Sequence, residues 1–268
     1  MSVENNFEEI LTDESVDLEK RASILNEKGE DVMEAFFERP ESTENYKKTQ
    51  ELVGNIVRLA HSNEQSALSM MNLARRDYNA YSHSLHVCIL GVGFSQGVLS
   101  DKRILEAKPI LNDLHDLGEG FIYHDLGKSL VDASILKKVG PLSPVEWEII
   151  KKHPIDGAQM IQEMGIRKRA VLHITLYHHK RMDGTGYPYG LTGDKLPVIS
   201  RIAAITDGFD AITSRRPYKK AMSTFQALSI MKEENAGFYD PELFEKFVMM
   251  FRSQPENTVQ LKQSEDPA

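Results

Sequence analysis

Phe121-Ile122-Tyr123-His124-Asp125-Leu126-Gly127-Lys128 is the run from which the rest of the chain can be understood. A His beside an Asp offers one neutral nitrogen ligand and one anionic oxygen ligand from consecutive positions. Gly127 lets the backbone turn sharply, and Lys128 brings a positive charge close by. On its own the dipeptide says little. Downstream stand His153-Pro154, His178-His179, Asp183-Gly184-Thr185-Gly186-Tyr187-Pro188, Asp207 and Arg216-Pro217-Tyr218-Lys219. This is a series of nitrogen and oxygen ligands without cysteine, ending in a basic cluster. Such a set suits hydrolysis of a phosphoester by metal-bound hydroxide.

Around these motifs almost every segment has helical spacing. Leu52, Ile56, Leu59 and Ala60, then Ala67, Met70 and Met71, mark core stripes between Tyr46 and Leu73. Leu85–Gln96, Ile104–Leu114, Pro144–Lys152, Asp156–Met164, Ala170–Tyr177, Leu196–Ala211 and Phe225–Met231 are further predicted helices. Alternating strand patterns are nearly absent, although Thr258-Val259-Gln260-Leu261 is strand-like. The expectation is an all-α helical bundle. Residues 1–62 form an acidic, helical or partly disordered N-terminal region, broken at Arg39-Pro40 because proline disfavours helix at the residue before it. Residues 63–261 form the main domain, and 262–268 a polar tail. The longest irregular loop runs from Asp183 to Gly193.

The 268 residues carry a formal net charge of −8, so the surface as a whole repels nucleic acid. A small anionic ligand then needs a local basic pocket. The one cysteine, Cys88, lies in the apolar run Val87–Leu90 and is expected in the core. A lone cysteine allows no internal disulfide and points to a reducing cytoplasm. No apolar stretch approaches the ~20 residues of a membrane span, and the acidic N-terminus is unlike a secretory signal.

With both His124-Asp125 and Gly186-Tyr187-Pro188, the sequence resembles the HD-GYP domains, a branch of the HD metal-dependent phosphohydrolases that degrades cyclic di-GMP. The resemblance runs from about Asn63 to Leu261, roughly three quarters of the chain. It implies an HD-type helical bundle with a small helical N-terminal extension. It also separates two His-Asp pairs. His115-Asp116 is followed by Glu119 where the family has Lys, whereas His124-Asp125 fits the family's pair at the end of a helix. His83, in Tyr81-Ser82-His83-Ser84, matches the family's first ligand, at the opening of an amphipathic helix. His61, His86, His115 and His173 have no motif context and are expected at the surface or as satisfied core residues.

Seven side chains are then expected to converge: His83, His124, Asp125, His153, His178, His179 and Asp207. His153 stands at a helix junction because Pro154 can start a new helix. Adjacent His178 and His179 point about 100° apart in a helix, so they share a cluster only near its end or around two metals. Asp207 lies among apolar helical residues, where a carboxylate is costly to bury unless it binds a cation. Seven ligands exceed what one metal takes along with water, and two metals bridged by Asp125 satisfy the count. All-N/O ligation with two carboxylates favours iron or manganese over zinc. Asn79 stands where trinuclear members have a Glu, which argues for two metals here.

The resemblance implies that Lys128, Arg216 and Lys219 bind substrate phosphates and that Lys128 and Asp125 serve catalysis. Asp210, one turn after Asp207, is expected to support the ligands and to take part in binding substrate. The loop formed by Asp183, Gly184, Gly186, Tyr187 and Pro188 lines the site, with Tyr187 contacting substrate, and offers a surface for a signalling-protein partner. The family has an acidic residue where this chain has Lys180. The function implied is hydrolysis of cyclic di-GMP to linear pGpG and on to GMP. The alternatives are a non-catalytic sensor of the dinucleotide or a partner-binding module, and an HD hydrolase acting on another cyclic dinucleotide or a nucleotide. A homodimer is compatible with all of them.

Overall fold

Local capping explains where many of the helices begin. The computed structural model describes residues 10–11, 13, 15–62, 80–99, 113–188, 191–214, 222–233 and 237–251. These form helices α1 (Leu18–Glu38), α2 (Thr43–Ser62), α3 (Ala80–Leu99), α4 (Leu114–Tyr123), α5 (Ala133–Leu136), α6 (Pro144–Ile150), α7 (His153–Glu163), α8 (Arg169–Tyr177), α9 (Val198–Thr213), α10 (Thr224–Glu233) and α11 (Pro241–Met250). Short 3₁₀ turns occupy Leu126–Leu130 and Gly193–Lys195. There is no strand among the described residues, as the helical spacing predicts. The Arg39-Pro40 break falls between α1 and α2. Pro144, Pro154 and Pro241 each sit in the first turn of their helices, where a missing N–H costs nothing. No described helix is long and apolar enough to cross a membrane.

The predicted helix Ile104–Leu114 lies outside the described residues except for Asp113 and Leu114. Leu114 opens α4 instead of ending a helix, because the Asp113 carboxylate accepts hydrogen bonds from the backbone N–H groups of His115 and Asp116. Helix α11 was not anticipated as a helix. Asp240 caps it by accepting from the N–H groups of Glu242 and Leu243, and Leu243 and Phe247 carry its buried face.

Helix α3 departs from the amphipathic expectation. From Ser82 to Ser95 every residue is buried, because α1, α2, α4, α9 and α11 all pack against it. A helix enclosed by neighbours has no wet face to mark with polar residues. Cys88 is buried here, its Sγ 3.4 Å from the Gly118 carbonyl, and burial pushes its thiol pKa well up. Phe36 of α1 stacks on Tyr123 at the end of α4 with ring centroids 4.9 Å apart. Burying aromatic and aliphatic side chains of this size contributes about 1.5–3 kcal/mol each. This one core fixes the C-terminal end of α4, where His124 and Asp125 stand.

Candidate metal centre

Helix ends bring most of the expected ligands together. His124 is the C-cap of α4 and Asp125 follows it into the 3₁₀ turn. His153 is the first residue of α7, and His178 is the C-cap of α8. His83 lies in the first turn of α3 and Asp207 within α9. Gly127 serves this arrangement by close approach and not by an unusual turn, since its φ is not positive. A Cβ there would fall 2.1 Å from the His153 carbonyl oxygen and 2.6 Å from the Gly157 nitrogen.

The seven side chains form two nests. His83, His124 and Asp207 make one; Asp125, His153, His178 and His179 make the other, and the ligand atoms in each lie within 4.8 Å of one another. The two carboxylates span both. Asp125 Oδ1 lies 3.2 Å from His153 Nε2, while its Oδ2 lies 3.5 Å from the Nε2 atoms of His83 and His124. Asp207 Oδ1 is 3.2 Å from His83 Nε2, and its Oδ2 is 3.5 Å from His179 Nδ1.

The protonation pattern favours cations. His124, His153 and His178 each place Nδ1 within 2.7–2.9 Å of the carbonyl three residues back, on Phe121, Ile150 and Thr175. A carbonyl only accepts, so the proton is assigned to Nδ1 and the lone pair to Nε2. The Nε2 atoms of His83 and His124 then face each other at 3.3 Å, and those of His153 and His178 at 3.2 Å. Opposed lone pairs beside buried carboxylates repel unless a positive charge lies between them. Burial lowers the His124 pKa to about 3, lowers that of His153 and depresses that of His179 strongly. Burial opposes ionisation of Asp125 and Asp207. Lys128 and His124 beside Asp125, and His83 and His179 beside Asp207, outweigh it and hold both well below the usual carboxylate range. Neutral imidazoles with ionised carboxylates are the form that binds metal, so the donor set fits two divalent cations.

Asp210 lies beneath the nests. It is buried and accepts from His83 Nδ1 at 2.7 Å and from Ser214 Oγ at 3.0 Å. A carboxylate on the far nitrogen of a ligand histidine fixes its tautomer and orientation. His86, expected to be unremarkable, is buried with Nδ1 3.3 Å from Asp210 Oδ1. The signal was available, since residues three apart share a helix face and His86 follows His83 by that spacing.

Lys128 reaches back to Asp125 Oδ2 at 2.5 Å from the rim. Tyr187 lies over His179, with ring centroids 4.6 Å apart. In the same loop Asp183 accepts from the Thr185 N–H and Oγ1–H, and Gly184 has φ +83°, so these two shape the turn. Gly186 passes so close to the chain that a Cβ would fall 2.3 Å from the His179 carbonyl oxygen, and Tyr187-Pro188 is a cis peptide. A cleft of about 140 Å³ opens beside the nests, lined by His179, Arg181, Tyr187, Asp207, Phe238 and Tyr239. Phe238 and Tyr239 escaped the sequence reading because no motif marks them. Lys180 is buried in the lining of this cleft, and burial lowers its pKa. Asn79, Arg216 and Lys219 lie outside the described residues.

The second His-Asp pair sits at the other end of α4. His115 Nδ1 lies 3.2 Å from Glu119 Oε1, and the Lys168 ammonium lies 2.7 Å from that oxygen and 2.8 Å from Asp116. The carboxylates already have a cation in the lysine. His61 is exposed and His173 partly buried.

A model of the HD domain matches residues 107–243. A cyclic di-GMP phosphodiesterase of Pseudomonas aeruginosa is 37% identical over 191 residues, 71% of this chain and 43% of the relative. A 3′3′-cGAMP-specific phosphodiesterase of Vibrio cholerae is 35% identical over 54% of this chain and 31% of its own length. The chain thus spans less than half the length of these curated relatives. Among solved structures, an HDG"Y"P protein from Bdellovibrio bacteriovorus shares the fold with TM-score 0.70 at 21% identity, covering 91% of this chain and 76% of that one.

Proposed function

Because the chain belongs to the HD domain family, we propose that it is a metal-dependent phosphodiesterase of the HD-GYP branch, hydrolysing cyclic di-GMP to linear pGpG and onward to GMP. The observation that carries this reading is the pair of histidine nests spanned by Asp125 and Asp207. The seven side chains hold two divalent cations, iron or manganese, which when bound supply an activated water and neutralise charge on the phosphate.

The chain's own residues do the rest. Asp210 holds His83 in the tautomer that presents Nε2. Lys128, now against Asp125, donates to a non-bridging phosphate oxygen once substrate enters. Arg216 and Lys219 grip the phosphates from the segment after α9. Tyr187 covers His179 and shields that side of the centre from water. The exposed part of its loop is also the surface offered to a signalling partner.

A second reading, hydrolysis of 3′3′-cGAMP, is favoured by the relative of Vibrio cholerae that bears that name. Incubating metal-loaded protein with each dinucleotide and separating the products decides between them. Preferential conversion of cyclic di-GMP is expected. Tight binding of either dinucleotide without turnover, in protein carrying two metals, would make the chain a sensor instead.

A further inference from the structure

The single tryptophan, Trp147, is 45% exposed on α6. It closes no core, and its position explains it better than its burial. Its ring meets Tyr187 edge to face, at 75° and 6.3 Å between centroids. Tyr187 in turn lies on His179 at 4.6 Å and stands 6.3 Å from His153. A run of aromatic rings therefore leads from the proposed metal ligands to the rim and ends in a half-open indole. Helix α6 is firmly held for so short an element. Ser143 and Glu146 close a capping box, and Lys138 pairs with Glu146 at 2.6 Å.

We propose that Trp147 is a stacking platform for a purine base of the substrate, set one nucleotide's reach from the phosphate held at the histidine nests. This rests on the phosphodiesterase reading and adds to it the residue that recognises a base. Two ring-to-ring steps, Trp147 to Tyr187 and Tyr187 to His179, join the indole to the ligands, so a base stacked on it lies along the same aromatic run as the phosphate site. Stacking on an aromatic face needs no hydrogen-bond match, so the platform accepts a purine and leaves the choice between guanine and adenine to other groups.

Because the chain has no second tryptophan, emission excited beyond the tyrosine absorption band reports on this residue alone. Metal-loaded protein titrated with GMP is expected to show saturable quenching, and ribose 5-phosphate, which lacks the base, is expected to leave the emission unchanged. In turnover of cyclic di-GMP, Trp147→Ala is expected to raise KM roughly 5- to 100-fold with kcat at saturation retained. Trp147→Phe should recover most of the loss, and Phe225→Ala, an exposed aromatic on α10, should change nothing. Equal quenching by both ligands, or an unchanged KM in Trp147→Ala, overturns the assignment. So does a shift of Trp147→Ala from dimer to monomer on size-exclusion chromatography with KM unaltered, since the indole would then serve a second copy of the chain. If the wild type turns over no cyclic dinucleotide, the phosphodiesterase reading fails, and the comparison of GMP with ribose 5-phosphate still decides the role of Trp147.

Discussion

The Nε2 atoms of His153 and His178 face each other across 3.2 Å while the Nδ1 of each is committed to a backbone carbonyl. Neither ring can turn to relieve the contact without leaving a buried donor unpaired. The arrangement is stable when a cation lies between the rings and costly when none does.

Metal content follows directly. Purified protein is expected to carry two Fe or Mn per chain, and chelation is expected to lower Tm as well as activity. Asp125→Ala should remove both metals, because that carboxylate faces both nests. His115→Ala should leave the metal content unaltered, because Lys168 already neutralises its cluster. Elemental analysis finding one metal per chain, or mainly zinc after anaerobic preparation, would contradict this.

Asp210→Asn replaces the carboxylate beneath His83 with an amide of nearly the same shape. Metal affinity should fall about 10- to 100-fold, measured by competition with a chromogenic chelator. An unchanged affinity would mean that His83 needs no fixed partner.

Lys128→Ala should retain both metals and weaken substrate binding by about 1.5–3 kcal/mol, the range for a charge-assisted hydrogen bond. Isothermal titration with a non-hydrolysable diester measures this. Loss of metal instead would show that the lysine stabilises Asp125 and does not serve substrate.

Much of this centre was legible in the sequence because its ligands stand at helix ends, and helix ends are written locally in prolines, caps and short motifs. His124, His153 and His178 could be placed from the residues beside them. The spacing of His83 and His86 held a second clue that went unused, since a histidine without a motif carries no sign of what faces it. Asp210 showed its proximity to Asp207 but not which ligand it holds. Trp147, Phe238 and Tyr239 were out of reach for a different reason. Their place beside Tyr187 comes from tertiary contacts between segments far apart in the chain. The burial of α3 on all sides was hidden likewise, because it depends on five other helices.

Gly127→Ala should cost about 3 kcal/mol in chemical denaturation and reduce metal content with it. The added methyl would meet backbone on the α7 side, and backbone cannot swing aside as a side-chain tip does. Wild-type stability in this variant would show that the 3₁₀ turn and α7 separate easily.

The His115 cluster gives a pH signature distinct from the centre. Its hydrogen bond to Glu119 raises the His115 pKa above 6.5. Protonation is therefore favoured in the folded state, and its contribution is complete below pH about 6.5 and lost as pH rises through the folded value. Facing it are Glu119, Lys168 and the Gln50 carbonyl. Burial raises the Glu119 pKa, but His115 and Lys168 lower it further, so it stays ionised throughout this window. Wild type should exceed His115→Gln in stability by no more than ~1 kcal/mol at pH 5.5, the contact being partly exposed, and by less at pH 8.5. A difference that grows with pH would reverse the assignment.

The loop that carries Tyr187 is sewn to the chain just before α11, with the Met182 N–H donating to the Phe238 carbonyl at 3.0 Å and the Asp183 N–H to that of Gly237 at 3.1 Å. Those two amide protons are a built-in clock. They can trade with deuterium only in the moments when the loop has lifted away, so their exchange reports how much of the time it stands open, with no substrate and no turnover required.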